Sequence, residues 1–489
     1  MSSLKSAYDL ACERVIGSKY SPKKVYSEEE EEEEEEVMTP IEFVVDFKRP
    51  GSVKDDREYS PAFIDQNPSE RLPESSLEQE EGKEEGKEVE KEGLEISVQE
   101  PESIHYDERI MEVHWNGNVL DYGGFARLNR NMIFGLSNRN VRVKVDADPY
   151  MVQVNKTTQE MLEKMGRVEI SPDAPKVFGC TVPLNFNHTS KKILYTMIET
   201  SKGVHLDYAG KLNMAHEIWV PTQHGKEILE ASGIHPEIRV MPLGVDPQRY
   251  VAANNKPMNF GMSLRGFKFL SVFRWSPRKG YDILLKAFME EFSSEEDVSL
   301  LLVSRPVSVV EELGEKQIVD GFNTIKVSIN KPESELPHIA LYNKPISERD
   351  MPKMYSLGDA FVLISRGEGF GLPYCEAAAA GLPVIASNCS GHSDYLKEDN
   401  SFLVDPDDYV VADRLSSLGK LCRFYEGQIF PDFGRPAIEK TKEHMRFVFE
   451  NYKEAQKKAK KLRSSIISNY TWDMAIDRIY NRLKEFSNN

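Results

Sequence analysis

The stretch that most restricts the fold of this chain spans residues 368–383 and reads EGFGLPYCEAAAAGLP. An apolar run, AFVLIS, precedes it at 360–365, and a second apolar run follows it. Pro373 suits the first turn of a helix, Gly381 suits its C-terminal cap, and Pro383 prevents the helix from resuming. This order of strand, glycine turn, helix and strand predicts a βαβ unit. The turn of such a unit aims backbone N–H groups and a helix N-terminus at an anion.

Two carboxylates flank the glycine turn. Glu368 and Glu376 lie eight positions apart, on either side of Gly-Phe-Gly. A turn that holds a phosphate between two carboxylates can also bind hydroxyl groups nearby, which is what a nucleotide-sugar presents. A plainer interpretation is also open: the helix dipole alone favours Glu376 by roughly 0.3–1 kcal/mol, and the glycines could form only a tight turn. No dipole argument requires a carboxylate at Glu368.

The pattern E-x7-E with an internal GFGLP resembles the signature of retaining glycosyltransferases of family four, which have the GT-B fold. The resemblance implies two doubly wound, Rossmann-like α/β domains that face a cleft. It implies that a sugar moves from a nucleotide-diphosphate-sugar, most simply a UDP- or GDP-sugar, to a carbohydrate, lipid or protein acceptor, with retention at the anomeric carbon. It implies no cofactor and no metal ion, and the ten histidines form neither HExxH nor a cluster with zinc spacing.

A second motif carries positive charge. In FKFLSVFRWSPRKGYDILLKAF (267–288), a strand delivers Arg274 at its C-terminal end, a loop reaches Lys279, and a helix starts near Tyr281. Arginine offers a planar fork and lysine a point charge, the usual means of neutralising a diphosphate. The family resemblance places Arg274 and Lys279 on the donor pyrophosphate, and it favours Lys279 over the adjacent Arg278.

The resemblance also distributes roles within the glycine turn. Glu376 accepts hydrogen bonds from the ribose hydroxyls, and Glu368 contacts the hydroxyls of the transferred sugar. The residues it makes catalytic are Glu368, Arg274 and Lys279, and those it makes donor-binding are Gly369, Phe370, Gly371, Leu372, Glu376, Gly123 and Gly124.

The region from residue 108 alternates strand and helix patterns, which implies a parallel sheet covered by helices on both faces. Gly123-Gly124 follows its first strand directly, where a loop would face a neighbouring domain. On the acceptor side we consider Glu199, at the end of the predicted strand KILYTMIE, and His188, in the loop NFNHTS. A solvated strand-end carboxylate and an ordinary loop histidine are the open alternatives.

The predicted domains are an acidic, mostly disordered extension (1–105), an N-terminal, acceptor-side Rossmann-like domain (106–247) and a C-terminal nucleotide-sugar-binding domain (248–465). A last helix (466–489), anchored by Trp472, is expected to pack back on the first domain. The chain departs from the family pattern at Ser304-Arg305-Pro306, where many relatives have Gly-x-Gly.

The charge lies almost wholly in the extension. Residues 1–105 hold 13 Lys and Arg against 30 Asp and Glu, a net of −17 out of −18, including nine consecutive glutamates at 28–36. Such blocks bury too little apolar surface to offset chain entropy. Within them, residues 4–16 could form a short helix and PIEFVVDF (40–47) could dock as a strand or linear motif, or both could be plain solvated chain. The rest of the chain is nearly neutral, so nothing in it suggests nucleic-acid binding.

The five cysteines are scattered and the N-terminus has no signal-peptide pattern, so we expect a cytoplasmic protein. No apolar run approaches 20 residues, so we expect no transmembrane segment. Peripheral contact with a membrane-borne acceptor stays open. The rival interpretation is a catalytically silent GT-B protein that binds a partner through its acidic tail. Such a protein would be expected to lose one of Arg274, Lys279, Glu368 and Glu376, and the chain keeps all four.

Overall fold

The structure, a computed structural model, describes residues 41–44, 110–147, 154–181, 191–251, 261, 263–306, 311–412, 425 and 427–487. Most of the acidic extension and His188 lie outside these ranges. The strands are β1 (Ile41–Val44), β2 (Glu112–Gly117), β3 (Arg142–Ala147), β4 (Lys176–Gly179), β5 (Lys192–Tyr195), β6 (Glu217–Val220), β7 (Glu237–Val240), β8 (Phe267–Trp275), β9 (Val298–Pro306), β10 (His338–Tyr342), β11 (Ala360–Leu363), β12 (Val384–Ser387), β13 (Phe402–Val404), β14 (Asp408–Val411) and β15 (Ile429–Asp432).

Helices connect most of these strands, and three of them end the chain. They are Gly124–Ser137, Lys156–Gly166, Leu206–Leu212, Gln223–Ala231, Tyr281–Glu291, Glu311–Ser328, Met351–Tyr355, Leu372–Ala380, Arg435–Glu450, Tyr452–Asn469 and Trp472–Ser487. Short 3-10 turns lie at Pro247–Tyr250, Pro277–Lys279, Glu333–Glu335 and Gly391–Asp394.

The first sheet has the order β3-β2-β4-β5-β6-β7, and all its pairs are parallel. Its strand order reverses between β2 and β4. Asn129, on the helix after β2, fixes this point: its Oδ1 accepts from Trp115 Nε1 at 2.9 Å and its Nδ2 donates to the Gly179 carbonyl at 2.8 Å. The loops that follow β2 and β4 therefore open at the place where an α/β sheet binds its ligand.

The second sheet has the order β1-β10-β9-β8-β11-β12-β13, again with parallel pairs. Its strands β10, β11 and β12 are buried throughout, as expected for parallel strands with helices on both faces of the sheet. The strand order reverses between β8 and β11. The loop that ends in Lys279 follows β8 and the loop that contains Glu368 follows β11, so the topology places both motifs at this switch point.

Several boundaries differ from those read off the sequence. The strand predicted to run to Glu199 ends at Tyr195. The Thr196 N–H still donates to the Trp219 carbonyl at 2.9 Å, and residues 197–200 then continue without strand pairing. β8 continues to Trp275 and pairs in register with β9, so Arg274 lies within the strand, opposite Arg305.

The last helix begins at Trp472, and its Ile476 lies against Gly135 of the first helix. The Trp472 side chain is buried, and Val245 and Thr471 form a parallel bridge. Residues 41–44 pair with β10 as an edge strand, which is one of the arrangements that the sequence left open. The limits of the domains stay a prediction.

Candidate functional site

The loop between β11 and the helix Leu372–Ala380 carries the glycine motif. Residues 364–371 are buried along their whole length. Gly371 caps the helix with φ +87°, which a side chain would rarely permit, and it leaves the first helical N–H groups without a side-chain cap. The Phe370 ring packs against Tyr395, so Phe370 can offer a ligand only its backbone. This geometry suits an anion at the start of the helix.

Lys279 and Glu368 form a buried ion pair at the switch point. Lys279 Nζ donates to Glu368 Oε1, and the two side chains are 11% and 6% exposed. Arg278 lies beside them: its Nη1 donates to the Gly367 carbonyl and lies 3.9 Å from Glu368 Oε1. The Glu368 carboxylate therefore faces two cations, an ammonium and a guanidinium, and both are groups that bind a diphosphate.

Burial and charge oppose each other at this pair. Burial works to raise the pKa of Glu368, but the positive charges of Lys279 and Arg278 and the hydrogen bond from Lys279 lower it below its ordinary value. Burial also lowers the pKa of Lys279, against the attraction of Glu368. The Glu368 carboxylate is therefore ionised at neutral pH and ready to accept hydrogen bonds.

A second buried ion pair holds the two loops together. Arg366 donates to both carboxylate oxygens of Asp282 at 2.8 Å, and its Nη1 also donates to the Pro277 carbonyl at 2.7 Å. The backbone N–H of Arg366 donates to the carbonyl of Arg278 at 2.7 Å. Because a bidentate pair fixes orientation as well as distance, these contacts position Lys279 opposite Glu368.

A neutral histidine supports the loop from the other side. His392 is fully buried, and burial lowers its pKa to about 4. Its Nε2 lies 2.7 Å from the Ser387 carbonyl, and its Nδ1 lies 3.4 Å from Ser390 Oγ. That hydroxyl oxygen accepts from the backbone N–H of Glu368 at 3.0 Å. His392 thus contributes to holding the Glu368 backbone in place.

Glu376 lies in the helix Leu372–Ala380, which starts from the glycine loop. It is 2% exposed and accepts hydrogen bonds from three protein donors. Its Oε1 accepts from Arg127 Nη1 and from Tyr250 OH, the latter at 2.7 Å, and its Oε2 accepts from Tyr355 OH at 2.8 Å. Arg127 belongs to the first helix, so this carboxylate joins the elements of the two sheets.

The segments after β5 and β6 form the facing wall. Thr222 Oγ1 donates to the Gly369 carbonyl at 3.2 Å, and a Cβ on Gly367 would overlap the Glu199 carbonyl. The Glu199 side chain lies 3.2 Å from Arg278 Nη2 and accepts from Tyr425 OH. The structure therefore brings Glu199 beside the Lys279–Glu368 pair.

Gly123 and Gly124 begin the first helix, Gly123 as its N-cap and Gly124 as its first residue. The backbone N–H of Gly123 donates to Asp121 Oδ1 at 2.5 Å. A Cβ added to Gly124 would meet nothing within 4 Å, and no positive φ is recorded there. Neither packing nor backbone conformation therefore requires glycine at position 124.

Two further predicted residues are Arg274 and His188. The Arg274 side chain is exposed, and its Nε donates to the Pro306 carbonyl at 3.3 Å, so its guanidinium lies beside the end of β9. His188 lies outside the described residues. Their roles stay predictions, as do those of the other residues.

Four residues of the site have no local sequence signal. The family resemblance favours Lys279 over the adjacent Arg278, but both side chains lie within ion-pair distance of Glu368. The three donors to Glu376, which are Arg127, Tyr250 and Tyr355, lie 249, 126 and 21 positions from it. No spacing rule joins residues so far apart.

Within the described ranges, no three His, Cys, Asp or Glu side chains are grouped as a metal ion would need. In the same ranges, no helix combines the length and the apolar character needed to cross a bilayer.

Comparison with known proteins gives a family match for the part of the chain that contains most of the second sheet. Residues 266–419 match the family model "Glycosyl transferases group 1". Sucrose-phosphate synthase of Spinacia oleracea is 29% identical over 208 residues, which are 39% of this chain and 19% of that protein. The GDP-mannose-dependent monoacylated alpha-(1-6)-phosphatidylinositol monomannoside mannosyltransferase of Corynebacterium glutamicum is 25% identical over 200 residues, 38% of this chain and 47% of that protein. The matched segment thus spans less than half of either relative.

The fold has solved counterparts. Alr3699/HepE of Anabaena, solved with UDP and glucose and also with UDP-glucose, superposes with a TM-score of 0.51 over 77% of this chain and 100% of that one, at 14% identity. The α/β prediction of two Rossmann-like sheets in the GT-B arrangement is confirmed for the described residues.

Proposed function

We propose that this chain is a retaining glycosyltransferase that transfers a sugar from a nucleotide-diphosphate-sugar to an acceptor without a metal ion. One observation carries the proposal. Lys279, Arg278 and Glu368 meet at the switch point of the second sheet, and Glu376 follows in the helix that starts from the same loop. Ligands of open α/β sheets bind at such a point.

The proposed mechanism is an exchange of partners. The donor diphosphate binds Lys279 and Arg278. The sugar hydroxyls then donate to the Glu368 carboxylate, which accepts from Lys279 in the structure. These cations, with Arg274 and the N–H groups of the glycine turn, stabilise the charge that develops on the departing diphosphate. With that much positive charge from side chains, the reaction needs no metal ion to neutralise the diphosphate.

The relatives support a nucleotide-sugar donor, but their names contain two different nucleotide bases, guanine and uracil. The mannosyltransferase is named as GDP-mannose-dependent, and the Anabaena protein was solved with UDP-glucose. We therefore propose a UDP- or GDP-sugar and test both. The named relatives differ in their acceptors, so the acceptor class stays open.

The acceptor side is proposed at the wall formed by the segment after β5. Glu199 has a carboxylate there, and a small cavity lined by Thr196, Glu199, Tyr425 and Gln428 lies behind it. A carboxylate next to the transferred sugar can accept a hydrogen bond from an acceptor hydroxyl. Gly123 and Gly124 are proposed to leave room for the donor on the same side.

The cytoplasmic location and the partner-binding role of the acidic extension are part of the proposal. Deleting residues 1–105 tests the second. Because the deletion also removes β1 from the second sheet, loss of a bound partner, or a change in activity at an unchanged melting temperature, supports it. Unchanged activity and unchanged partners would refute it.

The direct test is thermal unfolding of the full chain with UDP, GDP, ADP, CMP and dTDP. A ligand at about 100 times its dissociation constant adds about 2.7 kcal/mol of stability, which a melting curve resolves. We expect one diphosphate to raise the melting temperature of the wild type and of Glu454→Gln, a control at an exposed helix position, but not of Glu376→Gln. A lack of any shift in the wild type would refute the donor site.

A further inference from the structure

Arg127 and Glu376 form an ion pair between helices of the two sheets, at the residue that the proposed function assigns to the donor ribose. Their side chains are 13% and 3% exposed. Arg127 Nη1 donates to Glu376 Oε1, and Arg127 Nη2 donates to Tyr250 OH at 3.2 Å. With a third donor, Tyr355, on Oε2, the carboxylate is enclosed by protein groups.

The number of acceptor sites on Glu376 limits what else it can bind. A carboxylate has about four lone-pair sites. Arg127 and Tyr250 take both sites of Oε1, and Tyr355 takes one site of Oε2, which leaves one. A ribose presents two neighbouring hydroxyls and needs two sites, so one protein donor has to leave when a nucleotide binds.

Packing decides which donor leaves. The Tyr250 and Tyr355 rings are fully buried and contact each other edge to face at 5.6 Å, and the Tyr355 ring also stacks on Phe361 at 6.0 Å. Moving either ring would open the core. Arg127 reaches Glu376 on a long unbranched side chain with several rotatable bonds, so its guanidinium can move while its backbone stays in the helix.

An arginine that leaves Glu376 needs another anion, because an unpaired buried charge is costly. Glu348 is the other carboxylate whose charge acts on Arg127, and it already accepts from Arg130. The α-phosphate of the donor is attached to the same ribose that takes Glu376, so it lies within reach of the released guanidinium. Arg127 also lies one helical turn after Gly123, next to the open space at Gly124.

We propose that Arg127 is a donor-contacting residue: it neutralises Glu376 before a donor binds and moves to the donor phosphate when the ribose hydroxyls bind Glu376. This inference rests on the proposed function. It adds a cation from the first sheet to those that the second sheet supplies, and it makes donor binding depend on an exchange between the two.

The test separates the ribose from the phosphate. Titration calorimetry of the full chain with UDP, GDP and ADP selects the diphosphate that binds best, and that diphosphate is then compared with its nucleoside. The variants are Arg127→Gln and the charge-retaining Arg127→Lys. Arg139→Gln is the control, because Arg139 lies two residues beyond the end of the same helix, which extends about 15 Å past Arg127, and pairs with Asp477.

The proposal predicts opposite effects on the two ligands. Arg127→Gln removes the competitor for Glu376, so the nucleoside binds as tightly as in the wild type or more tightly. It also removes a charged contact to phosphate, so the preference for diphosphate over nucleoside falls at least about tenfold. Arg127→Lys should retain part of the preference, and it keeps the proposal testable if Arg127→Gln does not fold. Arg139→Gln should keep all of it.

Two results would overturn the proposal. An unchanged preference in Arg127→Gln and Arg127→Lys would show that Arg127 does not meet the phosphate. An equal loss for nucleoside and diphosphate would show that Arg127 only holds Glu376 in place. If the wild type binds none of the three diphosphates, the proposed function fails instead.

Discussion

Replacing Lys279 by methionine is the sharpest perturbation of the site. It removes the charge and keeps most of the length of the side chain, so Glu368 stays buried at 6% exposure without its main partner. Breaking a buried pair in this way costs about 3–5 kcal/mol of unfolding free energy. Arg278, at 3.9 Å, still offsets part of that loss, so we expect about 3 kcal/mol.

The assay is urea unfolding followed by tryptophan fluorescence, since all four tryptophans are buried. Adding Glu368→Gln to Lys279→Met removes the unpaired charge and should restore at least about 2 kcal/mol, because a neutral pair of similar shape can replace a buried ion pair at little cost.

The loss should also depend on pH. In Lys279→Met the folded-state pKa of Glu368 rises above its unfolded value near 4.3, so the native carboxyl takes up a proton first. The destabilisation is therefore complete at pH 7 and shrinks as the pH falls toward 5. A double variant less stable than Lys279→Met, or a loss that does not change with pH, would refute the role given to this pair.

Three further predictions concern His392 and two glycines. His392 is neutral in the folded state with a pKa of about 4, so the stability it contributes is complete above its unfolded pKa near 6.5 and is lost as the pH falls toward 4. Between pH 7 and pH 5 this amounts to about 2 kcal/mol, and His392→Gln should lose that much less on acidification, measured by urea unfolding. Gly280→Ala should destabilise the chain by roughly 1–3 kcal/mol, because φ is +65° and a Cβ would overlap the Ile364 carbonyl. Gly124→Ala should keep the melting temperature and weaken diphosphate binding, and equal binding in Gly124→Ala and the wild type would contradict the ligand-approach argument.

The sequence was sufficient for the architecture around the glycine turn. Pro373 and the glycines fix where the helix starts and stops, and the apolar runs beside it are long enough to be buried strands. Because parallel strands end at one edge of a sheet, the same local signals also predict that the Lys279 and Glu368 loops meet there. The structure has that contact.

The sequence could not supply the partners of Glu376. Arg127, Tyr250 and Tyr355 come from three separate elements, and only the packing of those elements brings them to one carboxylate. The end of β5 was misplaced for a related reason. Residues 196–199 continue the predicted strand, but only Thr196 still bonds to β6, and Met197 and Glu199 lie against the loop at Gly369 and Gly367.

The central claim is that the chain transfers a sugar with retention from a donor held by Glu368 and Glu376. Proton NMR of the full chain with UDP-glucose or GDP-mannose tests it most directly, because water can replace the acceptor and the anomeric proton of the first free sugar reports the stereochemistry. The account predicts that an α-linked donor first releases the α-anomer, and that Glu368→Gln abolishes this release while Glu454→Gln does not. Initial release of the β-anomer, or an intact donor in a sample that binds it, would contradict the account.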